Sequence, residues 1–264
     1  MERFVINRIY ALILLLFFTQ SCATLFQVPT STSVPERDVA EKAWARVLST
    51  NVDSEGRVNF RAVGASIRDL ETYVAYLASE SPMTHAGKFA MADEKMAYYL
   101  NSYNALAMYG VIRAEYPHDF EGFFAKLRFF KLKEYILGGE AMSLYDYENN
   151  IIRKVGDPRV HFALNCMSVG CPRLPQKPFD AKILNQQLDA GAREFFGKAK
   201  YLQVDNVAQS IQVSEILKFF PNDFVNERIA PSIPEFISKY RQPAIPVSYA
   251  VNYMKYDWTV NKQP

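Results

Sequence analysis

Residues 161–172, His-Phe-Ala-Leu-Asn-Cys-Met-Ser-Val-Gly-Cys-Pro, concentrate the side chains best suited to chemistry. They hold one of the three histidines and two of the three cysteines of the 264-residue chain. The third cysteine, Cys22, follows an N-terminal apolar run, which leaves Cys166 and Cys171 to the folded part. Such a pair can be a disulfide, a metal site, a reactive thiol with a neighbour, or two buried small hydrophobes. As a nucleophile, Cys166 needs its thiol pKa lowered, with His161 as the nearest base and His118 as an alternative from another loop. Read as a strand, residues 160–165 put His161 on the face opposite Cys166, because strand side chains alternate. A His161–Cys166 pair therefore requires the strand to end or bulge first. A metal site of His161, Cys166 and Cys171 lacks an evident fourth ligand, so no metal and no cofactor is expected. The residues favour a Cys166–Cys171 disulfide: five positions apart, they can be brought together by a turn through Gly170.

The N-terminus supplies the oxidising context. Arg3 and Arg8 precede a purely apolar stretch over residues 9–18, which is short for a bilayer span but suited to an export signal. Ser21 then precedes Cys22, in a pattern similar to that of bacterial lipoproteins. This assigns 1–21 as a signal peptide, Cys22 as the acylated new N-terminus and 22–35 as a flexible tether. The expected location is the cell envelope, at the outer membrane and facing the periplasm, where disulfides persist. The lipid anchor is then one partner, the membrane. An envelope protein or a peptide-like ligand is another.

Losing Arg3, Arg8 and Glu2 takes the formal charge from +2 to +1, which gives no electrostatic case for nucleic acid. With 49% hydrophobic and 14% aromatic residues, the rest can bury a large core. One globular domain is expected over 36–264. Apolar periodicity predicts helices over 36–48, 66–78 (Ser66 as cap), 92–116 (ended by Pro117), 143–155 (Ser143 as cap) and 180–196 (Asp180 as cap). Hairpins are predicted over 127–137 with its Gly138-Gly139 turn and over 201–213, a strand over 160–165, and short helices over 214–219 and 232–240. The class is α+β, a helix-dominated single domain with short antiparallel strands and hairpins.

Inside the 92–116 helix, Asn101 and Asn104 share a face. A buried amide left unpaired costs roughly 1–3 kcal/mol, so both need partners, either a neighbouring backbone or a cleft. Residues 98–106 (Tyr-Tyr-Leu-Asn-Ser-Tyr-Asn-Ala-Leu) open a series of motifs. They are followed by 143–148 (Ser-Leu-Tyr-Asp-Tyr-Glu) with Arg153, by 157–166 (Asp-Pro-Arg-Val-His-Phe-Ala-Leu-Asn-Cys) with Gly-Cys-Pro at 170–172, and by Tyr256-Asp-Trp258 with Asn261. In order and spacing these resemble the family known as domain of unknown function 547, over roughly residues 90–261. The resemblance implies no settled activity. It marks Asn101, Asn104, Glu148, Arg153, Asp157 and Asn165 as cleft or motif residues. The chain departs from the family at Tyr99, often Trp, and at Asn149, often His.

Two functions follow from the sequence. The preferred one is a non-catalytic envelope lipoprotein module that binds a partner. The other is a thiol-dependent Cys166–His161 hydrolase or acyl transferase acting on peptide- or wall-like substrate. Cys166 within reach of a histidine in a cleft favours the enzyme, and a paired, buried Cys166 favours the module.

Overall fold

The computed structural model describes residues 24–26 and 34–264. The signal peptide, Cys22 and most of the expected tether lie outside the described residues. Of that tether, Thr24–Leu25 (β1) adds a parallel edge to Lys133–Leu137 (β2), and Phe26 packs on Tyr135 with ring centroids 5.3 Å apart. β2 turns back through Gly138 and Gly139, both at positive φ, into Glu140–Ser143 (β3). Glycine suits this turn because it reaches positive φ without a Cβ clash.

The first core layer is helical. Arg37–Asn51 (α1), Phe60–Ala65 (α2) and Arg68–Ser79 (α3) pack around Ala92–Arg113 (α4), in which every residue from Met96 to Ile112 is buried. A helix apolar all round belongs at the centre of a core, and α4 is that centre. It ends before Pro117, with Glu115 and Tyr116 at positive φ. Ser66 closes α2 rather than opening α3, where Ile67 is the cap position, so the expected Ser66 N-cap is corrected.

Residues 127–131 also differ from expectation, and the turn before them is helical as well. Phe123–Lys126 (α5) leads into a π-helical turn Leu127–Lys131, where the sequence reads as β from 127 on. Phe129 is buried against Phe120, 4.3 Å between centroids, and one inward anchor per helical turn replaces the alternation of a strand.

Leu144–Asp146 (α6) starts on Ser143, whose hydroxyl accepts from the Asp146 N–H, and continues as helical turns to Val155. Residues 160–165 are not a strand. Pro158–Phe162 is a 3-10 helix, with Asp157 accepting from the Arg159 N–H and Pro158 at its start. An acceptor cap followed by proline sets up a helical start, and this outweighs the β-like run behind it.

The second layer holds Leu184–Gly197 (α7), Leu202–Asp205 (β4), Ser210–Ser214 (β5), Ile216–Phe219 (α8), Pro221–Phe224 (α9), Ile233–Ser238 (α10) and Ala250–Met254 (β6). β4 and β5 form the expected hairpin, and β6 adds in parallel to β5. Phe162, Phe195, Phe196, Phe224 and Phe236 make a separate aromatic core here. The C-terminal segment returns across both layers, bridging Thr259 to Asp119, Val260 to Ser168 and Lys262 to Val58. Among the described residues, no helix is long and apolar enough to cross a membrane.

Candidate functional site

The loop 165–172 is held from three sides. From α4, Asn104 donates through Nδ2 to the Ala163 carbonyl at 3.0 Å and accepts at Oδ1 from the Asn165 N–H at 2.7 Å. Asn165 in turn accepts from the Met167 N–H at 2.8 Å and donates to the Pro172 carbonyl at 2.8 Å. The C-terminal segment accepts from the other edge, Val169 N–H to Thr259 O and Gly170 N–H to Asp257 O, both 2.8 Å. Gly170 fits because a Cβ there would lie 2.9 Å from both the Asp257 carbonyl and the Tyr256 ring. Finally, Tyr201 donates its hydroxyl to the Cys171 carbonyl at 2.5 Å.

The restraint places Cys166 and Cys171 side by side as free thiols, Sγ to Sγ 2.8 Å. Cys166 Sγ also lies 3.1 Å from Ser168 Oγ and 3.4 Å from the Tyr256 hydroxyl, and Cys171 Sγ lies 3.0 Å from that hydroxyl. Burial pushes the Cys166 thiol up, but the hydrogen bonds from Cys171, Ser168 and Tyr256 outweigh it, so Cys166 titrates below an ordinary cysteine. Cys171 goes the other way: burial, with the neighbouring Cys166 sulfur, holds it well above the ordinary value. One thiol is thus prepared to ionise and the other to donate to it.

Both sulfurs line a cavity of about 400 Å³. Its walls are largely apolar and aromatic: Leu127, Phe130, Leu164, Ile216, Phe219, Phe220 and Trp258. The polar groups are few, namely Tyr103, Glu148, Asn149, His161, Tyr256 and the two thiols, with Lys126 and Lys131 also lining it. An apolar concavity with few convergent polar groups is the usual form of a small-molecule site. Glu148 accepts from the Tyr103 hydroxyl at 3.1 Å. Burial raises the Glu148 pKa, although His161 and Tyr103 oppose the shift.

His161 reaches the cavity from the 3-10 helix, stacked on Phe220 with centroids 4.5 Å apart. Its Nε2 is 2.7 Å from Asp223 Oδ2, and Asp223 also takes Arg153 through Nε at 2.6 Å and Nη2 at 3.0 Å. Arg153 bonds Asn149 as well. Desolvation pushes the Asp223 carboxyl up, but the bonds from His161 and Arg153 win and lower it to about 2. A carboxylate that fixes one imidazole nitrogen leaves the other to face a reactant.

The structure brings Cys166, Cys171, His161, Glu148 and Arg153 to one place. No hydrogen bond joins His161 to Cys166 among the described residues; both line the cavity. His118 is not at the cavity. It is largely exposed and bonded through Nδ1 to Asp119 at 2.9 Å, so as an alternative base it is set aside. Asp157 and Arg159 form their own pair on another face, joined to Asp189. Asn101 serves a different loop from Asn104: it accepts from the Phe179 N–H and donates to the Phe179 carbonyl, at 2.9 and 2.8 Å. Neither asparagine lines the cavity. Sequence reasoning missed Asp223, 62 positions from His161. Its only local signal was Pro221 with an acid in the next turn, a helix start.

Residues 88–196 match the family model described as a protein of unknown function, DUF547. The match includes Glu148, His161 and both thiols, whereas Asp223 and Tyr256 come from beyond it. No curated protein and no solved structure matches the chain.

Proposed function

We propose that this DUF547-matching chain is an envelope lipoprotein, anchored through Cys22, whose cavity carries out thiol-dependent acyl transfer on an ester or amide with an apolar acyl part. The observation that supports this reading is Cys166 itself, a thiol with lowered pKa facing an apolar cavity. In the reaction, Cys166 attacks as the thiolate, having lost its proton to solvent; its sulfur adds to the acyl carbonyl carbon and the bond to the alcohol or amine breaks, leaving a thioester. The leaving group takes its proton from Glu148, whose burial shifts the carboxyl toward its protonated form. Water then hydrolyses the thioester, with His161, oriented by Asp223, as base. A second reading, the non-catalytic binding module, draws on the 2.8 Å approach of the two sulfurs, which oxidise readily to a disulfide in the periplasm.

One experiment separates the two. Full-length protein purified from the envelope is alkylated with iodoacetamide across pH, with and without prior reduction. The enzyme reading expects Cys166 to be modified before Cys171 without reductant, with a rate midpoint below that of an ordinary cysteine that rises in Cys171→Ala. Resistance of both thiols until reduction refutes it and supports the module. Localisation has its own test: Cys22→Ser should leave the membrane fraction once its signal is removed.

A further inference from the structure

Residues 123–131, Phe-Phe-Ala-Lys-Leu-Arg-Phe-Phe-Lys, supply one wall of the cavity, anchored by the buried Phe129 and exposed at Phe123, Phe124, Arg128 and Lys131. Phe123 is 72% and Phe124 80% exposed, with ring centroids 5.4 Å apart. Across the mouth, Tyr145 and Phe219 are each 42% exposed. Single exposed apolar side chains are ordinary on a protein surface, but three exposed rings lining one opening, with Phe124 beside the first, are not.

The same segment is cationic. Lys126, Arg128 and Lys131 make no ion pair among the described residues. Lys126 Nζ lies over the Trp258 ring and Lys131 Nζ over the Tyr145 ring, each 3.9 Å from the centroid. Two nearby carboxylates pair directly with other cations: Glu121 with Lys255 at 3.2 Å, and Glu215 with Lys218 at 3.0 Å and the Tyr256 N–H, with Lys126 acting on Glu215 only at longer range. Apolar rings beside cations that make no direct ion pair complement an anionic lipid surface, where rings enter the acyl boundary and cations meet headgroups.

A third observation concerns direction. The Thr24 N–H donates to the Leu132 carbonyl at 2.7 Å, next to Lys131. Cys22 is two residues upstream, a reach of about 7 Å. A lipid on Cys22 would therefore enter the bilayer beside this segment.

We infer that residues 123–131 dock the domain on an anionic membrane surface, with Phe123 and Phe124 inserted and Lys126, Arg128 and Lys131 at headgroup level. The cavity mouth then opens onto lipid, and acyl chains reach it without crossing water. This shares with the proposed function only the anchor at Cys22, and it holds whether or not Cys166 is catalytic.

The chain contains its own reporter. Of its two tryptophans, Trp44 is 1% exposed, while Trp258 is partly exposed at the cavity mouth. Full-length protein is reconstituted into phosphatidylcholine vesicles containing phosphatidylglycerol, with bromine on the acyl chains, and tryptophan emission is read. The expected result is loss of Trp258 emission in the wild type and its retention in Phe123→Ser/Phe124→Ser, with both proteins sedimenting with the vesicles through their N-termini. Emission should also be retained in the wild type when phosphatidylglycerol is left out. Equal quenching of wild type and double variant, equal quenching with and without phosphatidylglycerol, or an unquenched wild type on anionic vesicles each overturns the proposal. Because both rings are solvent-exposed, the double variant keeps the fold, and a thermal melt verifies this. A failed anchor appears separately, as Phe123→Ser/Phe124→Ser remaining on the membrane when Cys22→Ser is added to it.

Discussion

Asn104→Leu tests how the reactive loop is positioned. Asn104 is 1% exposed, and its amide satisfies the Ala163 carbonyl and the Asn165 N–H. Leucine, with the same branching and number of heavy atoms, leaves both backbone groups buried and unpaired, at roughly 1–3 kcal/mol each, offset in part by no longer burying a polar amide. A net loss of about 3 kcal/mol is expected, or a fall in melting temperature of about 6–12 °C at the usual response of a domain this size. Asn101→Leu is the matched control, since it frees the Phe179 backbone groups and strips an acceptor from Trp44 Nε1. Both variants should melt early, but only Asn104→Leu should change the rate and pH midpoint of Cys166 alkylation. Differential scanning calorimetry and iodoacetamide kinetics on the same preparations provide the two readouts. If Asn104→Leu melts with the wild type, or if Asn101→Leu alters Cys166 as strongly, the asparagine clamp does not position the thiol.

Two further outcomes follow from the same geometry. Asp223 is lowered from 3.8 to about 2, so it contributes stability that is present above pH ~4 and lost as pH falls through its folded pKa. The contribution is about 2 kcal/mol, and Asp223→Asn should flatten the decline of wild-type stability between pH ~4 and ~2 in chemical denaturation. An unchanged slope there would show that the bonds to His161 and Arg153 add no net stability. Gly170→Ala forces a Cβ to within 2.9 Å of the Asp257 carbonyl and the Tyr256 ring. It should cost about 1–3 kcal/mol by displacing Tyr256 from the thiols, raising the Cys166 midpoint in the same alkylation assay.

Much of the architecture can be read along the chain because its signals are local. Ser143 and Asp180 open helical turns as their side chains dictate, Pro117 follows the end of α4, and the Gly138–Gly139 and residue 206–209 turns close hairpins. The errors fall where local signals compete. The run Val160–His161–Phe162–Ala163–Leu164 is β-like by composition, yet Asp157 and Pro158 start a 3-10 helix whose residues Val160 and Phe162 anchor separate cores. With the strand goes the alternation that set His161 and Cys166 on opposite faces. Residues 127–131 went wrong for the same reason, since apolar and cationic residues in near alternation fit both a strand and a helix with one buried stripe.

By itself, the sequence determined which residues could do chemistry, because functional groups are a property of residue type. It also determined where backbone geometry must change, because caps, prolines and glycine turns act over a few bonds. Only the tertiary structure decided which of those groups meet. Asp223 reaches His161 across 62 positions, Tyr256 reaches Cys166 across 90, and Asn104 holds a loop 59 residues away. No local interaction encodes these distances. They follow from burying α4 at the centre of one aromatic core and laying the C-terminal segment across to the other, and the lowered pKa of Cys166 exists only once that packing has placed its hydrogen-bond partners.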